Sequence, residues 1–394
     1  MLLKMTQLDI NYIRPDSFFI YNIYSENGEK LHDARTPLSS SKIKSIREAY
    51  GNYVYIDKNE VNVNEMEPAI PEEKLCLIRD KTKSILEEVE SIGVLSKATY
   101  REAVETVETI LDELNKTKYN VINLLKDLKS YEEYTYSHSV NVGILVAVFA
   151  QKHGLFSQDE LKNLTLGAYL HDIGKMKIDL NIINKKGKLS KREMLEMKRH
   201  PQLGYEIIKR NGERNPIVQQ SILFHHEKFQ EDGYYGLPYN NLPVFSKIIS
   251  ICDIFDALTS KRPYRDALST SDALKSIVNS INFHFDYNFV SNFINKMESL
   301  LSNNLSTYAV GDICELNSQE LALIKELGTK DLLKPKVLVF CRFSKDKRGM
   351  VAKFYEEPFE LDIFEDPVRI ITKLICNGHH LNIIKERLKE RKII

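Results

Sequence analysis

The chain has 394 residues, of which 43% are hydrophobic and 28% are charged. This composition supplies enough apolar side chains for a sizeable core, excludes an intrinsically disordered protein, and predicts two or three domains at this length. Lysine plus arginine and aspartate plus glutamate number 55 each. A bulk positive charge that would hold polymeric nucleic acid or an anionic membrane is therefore excluded.

Localisation signals point to the cytoplasm. The longest apolar run, Val142 to Ala150, is about half of the roughly 20 residues that a membrane-spanning helix needs. The segment MLLKMTQLDI lacks the basic head and apolar stretch of a signal peptide. The five cysteines are scattered and form no CxxC pair, which is typical of a reducing compartment. We therefore predict a cytoplasmic protein without membrane insertion.

The first part of the chain alternates short strand-like runs with one helical run. Asn27-Gly28 lies between two such runs and predicts a hairpin. The run SSSKIKSIREAY predicts a helix capped by its serines, and NYVYI predicts a strand. We predict a small α+β module over residues 1–60, followed over residues 61–73 by a linker that carries Pro68 and Pro71.

Beyond the linker the apolar residues recur at helical spacing, which predicts an all-α domain over residues 74–304. Capping boxes that begin at Ser157 and Ser190 predict the starts of two of its helices. Two apolar stripes consist of Leu75, Ile78, Ile85, Val89 and Ile92, and of Val104, Val107, Leu111 and Leu114.

From Leu305 the pattern returns to strand-like runs. They are centred on Ile313–Leu316, Val337 to Phe340 and Val351 to Tyr355, and the tail from Asp366 to Ile394 is predicted to be helical and basic. We predict a β-rich extension over residues 305–394. The predicted fold class is mainly α: a central helical bundle between a small N-terminal α+β module and a small C-terminal β-rich extension.

Seven imidazole and carboxylate side chains occur as an ordered series inside the helical region. Such groups are the ligands of borderline divalent metals, and a cysteine-rich structural zinc site is excluded because only Cys252 lies near the series. One metal satisfies several buried imidazoles at once, which offsets their lost hydration. The series is His138 in YTYSHSVNV, His171 and Asp172 in HDIGK, His200 in KRHPQLG, His225 and His226 in HHEKF, and Asp253 in ICDIFDALTS.

Adjacent His225 and His226 would point about 100° apart on a helix. Both reach one metal cluster if the helix ends there, as the polar run KFQED and Gly233 indicate. The other histidines lack such a context, and we predict surface or structural roles for them. They are His32, His153, His284, His379 and His380.

From about Tyr131 to Ala267 the sequence resembles the HD-GYP branch of the HD superfamily of metal-dependent phosphohydrolases. The resemblance is carried by HSVNV, HDIGK, HPQLG, HHE with a following Asp-Gly loop, and DIFDALTSKRPYR. It implies an HD-type helical bundle that holds two or three divalent ions, usually iron or manganese. The implied activity is hydrolysis of cyclic di-GMP to the linear dinucleotide pGpG or on to GMP.

The resemblance also implies roles for individual residues. His138, His171 and Asp253 would hold one ion, His200, His225 and His226 a second, and the catalytic Asp172 would bridge both. Catalytic Lys175 would stabilise or protonate the departing oxygen. Arg262 and Arg265 would grip the substrate phosphates, since arginine forks match phosphate oxygens.

The chain departs from the family pattern in two places. Gly236-Leu237-Pro238 stands where a glycine-tyrosine-proline sequence is usual, and Tyr234 or Tyr235 would supply the missing ring. We assign Gly236, Pro238 and Tyr235 to substrate binding. A glutamate found one turn before the first histidine in three-metal members is Tyr134 here, which favours two ions, either iron or manganese, and pGpG as the product.

Two alternatives to this activity stay open at the level of sequence. One is a non-catalytic cyclic di-GMP receptor that signals through its degenerate loop, and the other is a phosphohydrolase of another nucleotide, such as cyclic GMP-AMP. The expected partners are cyclic di-GMP and either a second copy of the chain or a signalling protein.

Overall fold

A computed structural model describes residues 5–13, 17–18, 22–33, 36–56, 70–116, 134–185, 187–261, 266–300, 307–346, 349–375 and 378–391. The described chain divides into two compact units. One comprises Met1–Glu65, Leu274–Asn282 and Asp286–Ile394, and the other comprises Met66–Ala273 and Phe283–Phe285. The predicted boundaries at residues 60, 73 and 304 stay predictions.

The N-terminal part of the first unit is a small α+β arrangement. Its antiparallel four-stranded sheet has the order β1-β6-β3-β4, and β2 pairs with β5. The predicted hairpin joins β3 to β4 through Gly28, whose φ of 83° suits glycine. The elements are β1 (Thr6–Asp9), β2 (Ser17–Phe18), β3 (Ile23–Tyr24), β4 (Lys30–His32), β5 (Pro37–Leu38), α1 (Ser40–Tyr50) and β6 (Tyr53–Ile56).

Helix α1 begins where the serine run predicted. The Ser39 side chain accepts a hydrogen bond from the Lys42 main-chain N–H, which satisfies one of the unpaired donors at the helix start. Ile43 and Ile46 lie on one face of α1 and are buried together with apolar side chains of the sheet, among them Val54. This cluster is the core of the N-terminal module.

The second unit is helical, as its sequence pattern predicted. Both capping boxes form, at Ser157 and at Ser190, and each fixes the first turn of a helix. The helices are α2 (Glu72–Ile92), α3 (Lys97–Lys116), α4 (Tyr134–His153), α5 (Gln158–Tyr169), α6 (Leu180–Ile183), α7 (Lys191–Met197), α8 (His200–Asn211), α9 (Pro216–Phe224) and α10 (Val244–Thr259), with short 3-10 helices at Ile173–Lys177 and Tyr239–Asn241.

Helix α4 is the centre of this unit. Its residues from Val140 to Ala150 are buried on every side, as expected of a helix that is apolar all round. It packs against α5, α10, α2 and α3. The α2 stripe is buried as predicted except for Ile92, which is 61% exposed and lies in the last turn of its helix. The helix that carries His138 is therefore held rigidly by its neighbours.

The C-terminal part of the first unit is an antiparallel five-stranded sheet of order β10-β9-β8-β7-β11. Its core includes Ile313, Leu321 and Phe340, together with Leu388 of the last helix. The elements are α11 (Thr270–Val278), α12 (Tyr287–Leu300), β7 (Ile313–Leu316), β8 (Glu320–Glu326), β9 (Lys336–Asp346), β10 (Gly349–Asp362), β11 (Ile371–Leu374) and α13 (Gly378–Glu390).

The mainly α fold class with a β-containing module on each side in sequence is confirmed. One detail of the tail was wrong: residues after Asp366 are not helical throughout, because β11 pairs with β7 before α13 begins. Strand β8 was not singled out in the sequence, although five of its residues are buried. Among the helices that the structure describes, none has the length and apolar character needed to cross a membrane.

Candidate metal centre

The second unit brings seven side chains from five segments to one place. His138 lies on α4, His171 and Asp172 in the turn after α5, and Asp253 on α10. The ligand atoms form two groups, each with all its atoms within 4.8 Å of one another. Group A consists of His138, His171 and Asp253, and group B consists of Asp172, His200, His225 and His226.

Helix ends position the ligands of group B. His200 is the first residue of α8, and His225 is the residue that caps the end of α9. The chain leaves helical geometry after His225, so His225 and His226 both face the centre, with ring centroids 4.1 Å apart. The sequence-based expectation that a helix ends at this pair is confirmed.

Gly174 explains why the HDIGK segment needs a glycine. A Cβ at this position would lie 1.9 Å from the main-chain oxygen of His200 and 2.5 Å from the main-chain nitrogen of Gly204. Only glycine therefore allows the turn that carries His171 and Asp172 to approach the first turn of α8. The contact brings Asp172 next to His200.

In group A, His138 lies between two carboxylates. Its Nδ1 donates to Asp256 Oδ2 at 2.7 Å, and its Nε2 lies 3.1 Å from Asp253 Oδ1. His171 donates from Nδ1 to the Ala168 carbonyl at 2.7 Å. In both residues Nε2 is the nitrogen that faces the centre, because Nδ1 is already engaged.

In group B, main-chain carbonyls orient the imidazoles. His200 Nδ1 donates to the Met197 carbonyl and His225 Nδ1 to the Ile222 carbonyl, each at 2.8 Å. The two Nε2 atoms then lie 3.2 Å apart. Two imidazole lone pairs that face each other so closely repel, and a cation placed between them relieves that repulsion.

Asp172 lies at the junction of the groups. Its Oδ1 is 3.2 Å from His200 Nε2, and its Oδ2 is 3.3 Å from His171 Nε2 and 3.5 Å from His138 Nε2. The Lys175 ammonium donates to Oδ2. One carboxylate oxygen thus faces each group, which is the arrangement that a bridging ligand requires.

Two buried atoms of the centre support the fit to divalent cations. Within the described part of the chain, neither Nε2 of His171 nor Oδ1 of Asp172 takes part in a well-formed hydrogen bond. Leaving such buried polar atoms unpaired costs about 1–3 kcal/mol each. Both are ligand atoms that a cation satisfies directly, so the residues present fit the metal centre that the sequence predicted.

The pKa values of several of these side chains favour the protonation states that bind a cation. Burial raises the pKa of the Asp172 carboxyl, but the charges of His171 and Lys175 outweigh it and hold that pKa well below its usual range. Burial, together with the charge of His200, lowers the pKa of His226 to about 3. Burial and the neighbouring His226 likewise hold the pKa of His225 well below its usual value. An ionised acid and two neutral imidazoles are the protonation states that bind metal.

His138 is the exception among these histidines. Burial alone lowers its pKa, but hydrogen bonds to the Asp253 and Asp256 carboxylates outweigh burial and raise the pKa to about 9. The Asp253 carboxyl shows the reverse effect: burial raises its pKa, and the hydrogen bond from His138 holds it well below its usual range. A proton on His138 Nε2 must therefore leave before that atom binds a cation.

The structure describes only some of the residues that were predicted to bind the substrate. Arg262 and Arg265 lie outside the described residues. Tyr235 is 42% exposed and packs its ring at 6.0 Å from Phe224, whereas it is the Tyr234 ring that lies 4.5 Å from the His226 ring. Of the two tyrosines, Tyr234 is therefore the one whose ring lies next to a residue of group B.

The loop that carries the predicted Gly236 and Pro238 is fixed by a residue that sequence reasoning missed. Buried Glu227 accepts the main-chain N–H of Tyr235 and of Leu237, each at 2.7 Å. Gly236 adopts a φ of 68° within this loop, and Pro238 precedes the 3-10 helix Tyr239–Asn241. These contacts place the loop beside His226, although neither Gly236 nor Pro238 is a ligand.

Two further residues near the centre were missed. Lys198 lies over the Tyr234 ring, 5.1 Å from its centroid, and Asp256 binds His138. The spacing in DIFDALTS contained the signal for Asp256, because a carboxylate three residues after Asp253 shares its helix face.

Comparison with known proteins agrees with this geometry. Residues 120–289 match the family model described as "HD domain", and this segment contains every one of the seven side chains. The chain carries an HD domain. The resemblance to HD phosphohydrolases that the motifs indicated is thereby confirmed.

Curated relatives match across the HD domain. A cyclic di-GMP phosphodiesterase of Pseudomonas aeruginosa is 30% identical over 255 residues, which are 63% of this chain and 59% of that protein. The cyclic di-GMP phosphodiesterase response regulator RpfG of Xanthomonas campestris pv. campestris is 32% identical over 45% of this chain and 49% of its own length. The 3'3'-cGAMP-specific phosphodiesterase 2 of Vibrio cholerae is 30% identical over 46% of this chain and 35% of its own length. The chain thus spans between about a third and three fifths of the length of these relatives.

Proposed function

We propose that the HD domain of this chain is a metal-dependent phosphodiesterase that hydrolyses cyclic di-GMP to linear pGpG. The observation that carries the proposal is the junction at Asp172, whose two oxygens face two separate groups of ligand atoms. A pair of divalent ions, iron or manganese, fits this arrangement because each group offers three imidazole or carboxylate ligands besides Asp172.

When bound, two such ions supply an activated water near neutral pH and neutralise charge that builds on the phosphoryl oxygens. His138, His171 and Asp253 would hold one ion, and His200, His225 and His226 would hold the other. Asp172, with one oxygen facing each group, would be the ligand that the two ions share.

Lys175 is the acid or charge stabiliser of the proposed reaction. Its ammonium donates to Asp172 Oδ2 and is 25% exposed, so the group stands at the edge of the centre with access to a substrate. Stabilising the departing oxygen by charge or by proton donation is a recognised contribution to phosphodiester hydrolysis. Arg262 and Arg265 are proposed to grip the phosphates of the dianionic substrate, and Gly236, Pro238 and Tyr235 to line its base.

A second cyclic dinucleotide, cyclic GMP-AMP, is also a candidate substrate. One relative over this domain is a 3'3'-cGAMP-specific phosphodiesterase, while others are cyclic di-GMP phosphodiesterases. A cyclic GMP-AMP hydrolase is therefore the second candidate. Both substrates are cyclic dinucleotides with two phosphodiester bonds, so the chemistry at the ions is the same.

Turnover of two substrates tests the proposal. Purified chain loaded anaerobically with Mn²⁺ or Fe²⁺ is incubated with cyclic di-GMP and, separately, with 3'3'-cGAMP, and the products are separated by chromatography. We expect pGpG from cyclic di-GMP at a higher kcat/KM than any product from 3'3'-cGAMP. The reverse order would make the second candidate correct, and stoichiometric binding without any product would indicate a receptor.

A further inference from the structure

The orientation of His138 differs from that of its neighbours. His171, His200 and His225 each donate from Nδ1 to a main-chain carbonyl three residues earlier in the sequence. His138 donates from Nδ1 to the carboxylate of Asp256, which lies on another helix. Among these four imidazoles, only His138 therefore has a charged partner at Nδ1.

The Asp256 carboxylate is itself held in place by three donors. Oδ2 accepts the hydrogen bond from His138, while Oδ1 accepts from the Asn141 amide at 2.9 Å and from the Ser260 hydroxyl at 3.1 Å. Asp256 is 2% exposed, so these bonds are shielded from water. The carboxylate stands at fixed distance and angle behind the imidazole.

Helical spacing produces this arrangement. Asp253 and Asp256 are three residues apart on α10, and His138 and Asn141 are three residues apart on α4, so each pair occupies one helix face. Asp253 meets the Nε2 side of the His138 ring, and Asp256 meets its Nδ1 side. A carboxylate therefore lies at each of the two nitrogens of the His138 ring.

We infer that Asp256 is a positioning residue of the metal centre, which orients His138 and raises the basicity of its Nε2 toward the ion in group A. The inference rests on the proposed function, because it requires that an ion binds there. A carboxylate behind an imidazole ligand fixes the tautomer and pushes electron density toward the metal-binding nitrogen, and its loss typically weakens metal affinity about 10- to 100-fold.

A consequence of this role is that Asp256 acts on one ion and not on the other. The Asp256 carboxylate hydrogen-bonds to His138, Asn141 and Ser260, and none of these three residues belongs to group B. His200 and His225 of group B keep their main-chain carbonyl partners whatever residue stands at position 256. Loss of the Asp256 carboxylate should therefore weaken ion binding in group A and leave ion binding in group B unchanged.

The test compares Mn²⁺ binding to the full chain and to three variants. Asp256→Ala removes the carboxylate, and Asp256→Asn keeps its size but not its charge. Thr259→Val is the matched control, since Thr259 is similarly buried on the same helix and its hydroxyl donates to the main-chain carbonyls of Phe255 and Asp256, not to the Asp256 carboxylate. Titration followed by elemental analysis gives the number of ions, and EPR distinguishes a coupled Mn²⁺ pair from an isolated ion.

We expect two ions in the wild type and in Thr259→Val. In Asp256→Ala one ion should bind about 10- to 100-fold more weakly while the other is unchanged, so that the EPR signal of the coupled pair is replaced by that of an isolated ion. The affinity of group A for its ion in Asp256→Asn should lie between that of the wild type and that of Asp256→Ala. Thermal unfolding of each variant shows whether the fold is retained.

Two results would contradict the inference. If both Asp256 variants bind two ions with wild-type affinity, Asp256 has no positioning role, although the proposed function stands. If Asp256→Asn remains folded but loses both ions equally, its effect is not confined to group A. A wild-type chain that binds fewer than two ions contradicts the proposed function itself, and the inference with it.

Discussion

Groups A and B are both candidate sites for a divalent ion, and they are built differently. In group A, the candidate ligand Asp253 lies on α10 together with Asp256, which holds His138 of α4 from behind, while His171 lies in the turn after α5. In group B, three imidazoles meet at helix ends, and main-chain carbonyls orient two of them, His200 and His225. Group A has a second carboxylate behind one of its imidazoles, whereas group B depends on the path of the main chain.

This difference indicates which kind of mutation would weaken ion binding in each group. A side-chain change in group A removes charge but leaves rigid helices in place. A main-chain change near group B moves ligands even when no ligand is replaced. Harder ions favour carboxylate oxygens, and imidazole nitrogen suits later transition metals. We therefore expect the two groups to bind an ion with different affinities, which variants should separate.

Asp172→Ala should have the largest effect, because Asp172 is the ligand common to both groups. We expect turnover to fall more than about 1,000-fold, which corresponds to about 4 kcal/mol in the activation barrier. Both ions should be lost together. Product chromatography and elemental analysis measure the two effects, and full occupancy by two ions in the variant would show that Asp172 does not bridge.

Gly174→Ala tests the dependence of group B on the main chain. The new Cβ would meet the His200 carbonyl, so α8 must shift, at a cost of about 1–3 kcal/mol or more in the free energy of unfolding. The ion in group B should be lost before the ion in group A.

The matched control for this change is Gly143→Ala, at a helical position where a Cβ lies 3.5 Å from the nearest atom, in ordinary contact with Tyr169. Replacing this glycine should leave both ions bound and change stability by less than about 1 kcal/mol. Urea unfolding and Mn²⁺ titration compare the pair. Equal effects in both variants would contradict the proposed role of the Gly174 contact.

Proton release on metal binding should distinguish the groups without any mutation. The pKa of His138 is raised to about 9, so at pH 7 its Nε2 gives up a proton when an ion binds, whereas His226, with a pKa of about 3, has none to give. We expect about one proton per chain from His138 at pH 7. Calorimetry in buffers of different ionisation enthalpy measures it, and Asp256→Ala should reduce it.

The same pKa shift has a consequence for the metal-free chain. The folded pKa of His138 lies above its unfolded value of about 6.5, so its ion pairs stabilise the fold fully below pH 6.5. That stabilisation is lost as the pH rises through 9. Unfolding measured in a chelator between pH 6 and 10 should show a decline that His138→Gln lacks, and a wild-type curve that stays flat across that range would exclude the effect.

Glu227→Gln should have the smallest effect of these changes. The amide has one acceptor oxygen where the carboxylate has two, so one of the N–H groups of Tyr235 and Leu237 loses its partner, at a cost of about 1–3 kcal/mol. Because the loop carries no ligand, we expect two bound ions and a KM raised several-fold. Loss of an ion in this variant would show that the loop supports the centre directly.

Much of the centre could be predicted because its ligands stand in recognisable local patterns. The pair His225 and His226 required a helix end, and polar residues and Gly233 after it indicated one. Asp256 was missed because a second aspartate on an apolar helix does not reveal which histidine faces it until α4 and α10 are packed together.

The choice between Tyr234 and Tyr235 also depended on tertiary contacts. Neighbouring residues in a loop point in different directions, and the main-chain bonds to Glu227 decide which ring faces His226. Strand β11 was read as part of a helical tail because four residues carry too weak a pattern, and its pairing with β7 comes from far away in the sequence.

Anomalous diffraction from crystals of the full chain loaded with Mn²⁺ tests the central claim most directly. The account predicts two peaks about 3.5–4 Å apart, one among the ligands of group A and one among those of group B, with Asp172 between them. A single peak, or two peaks away from these side chains, would contradict it.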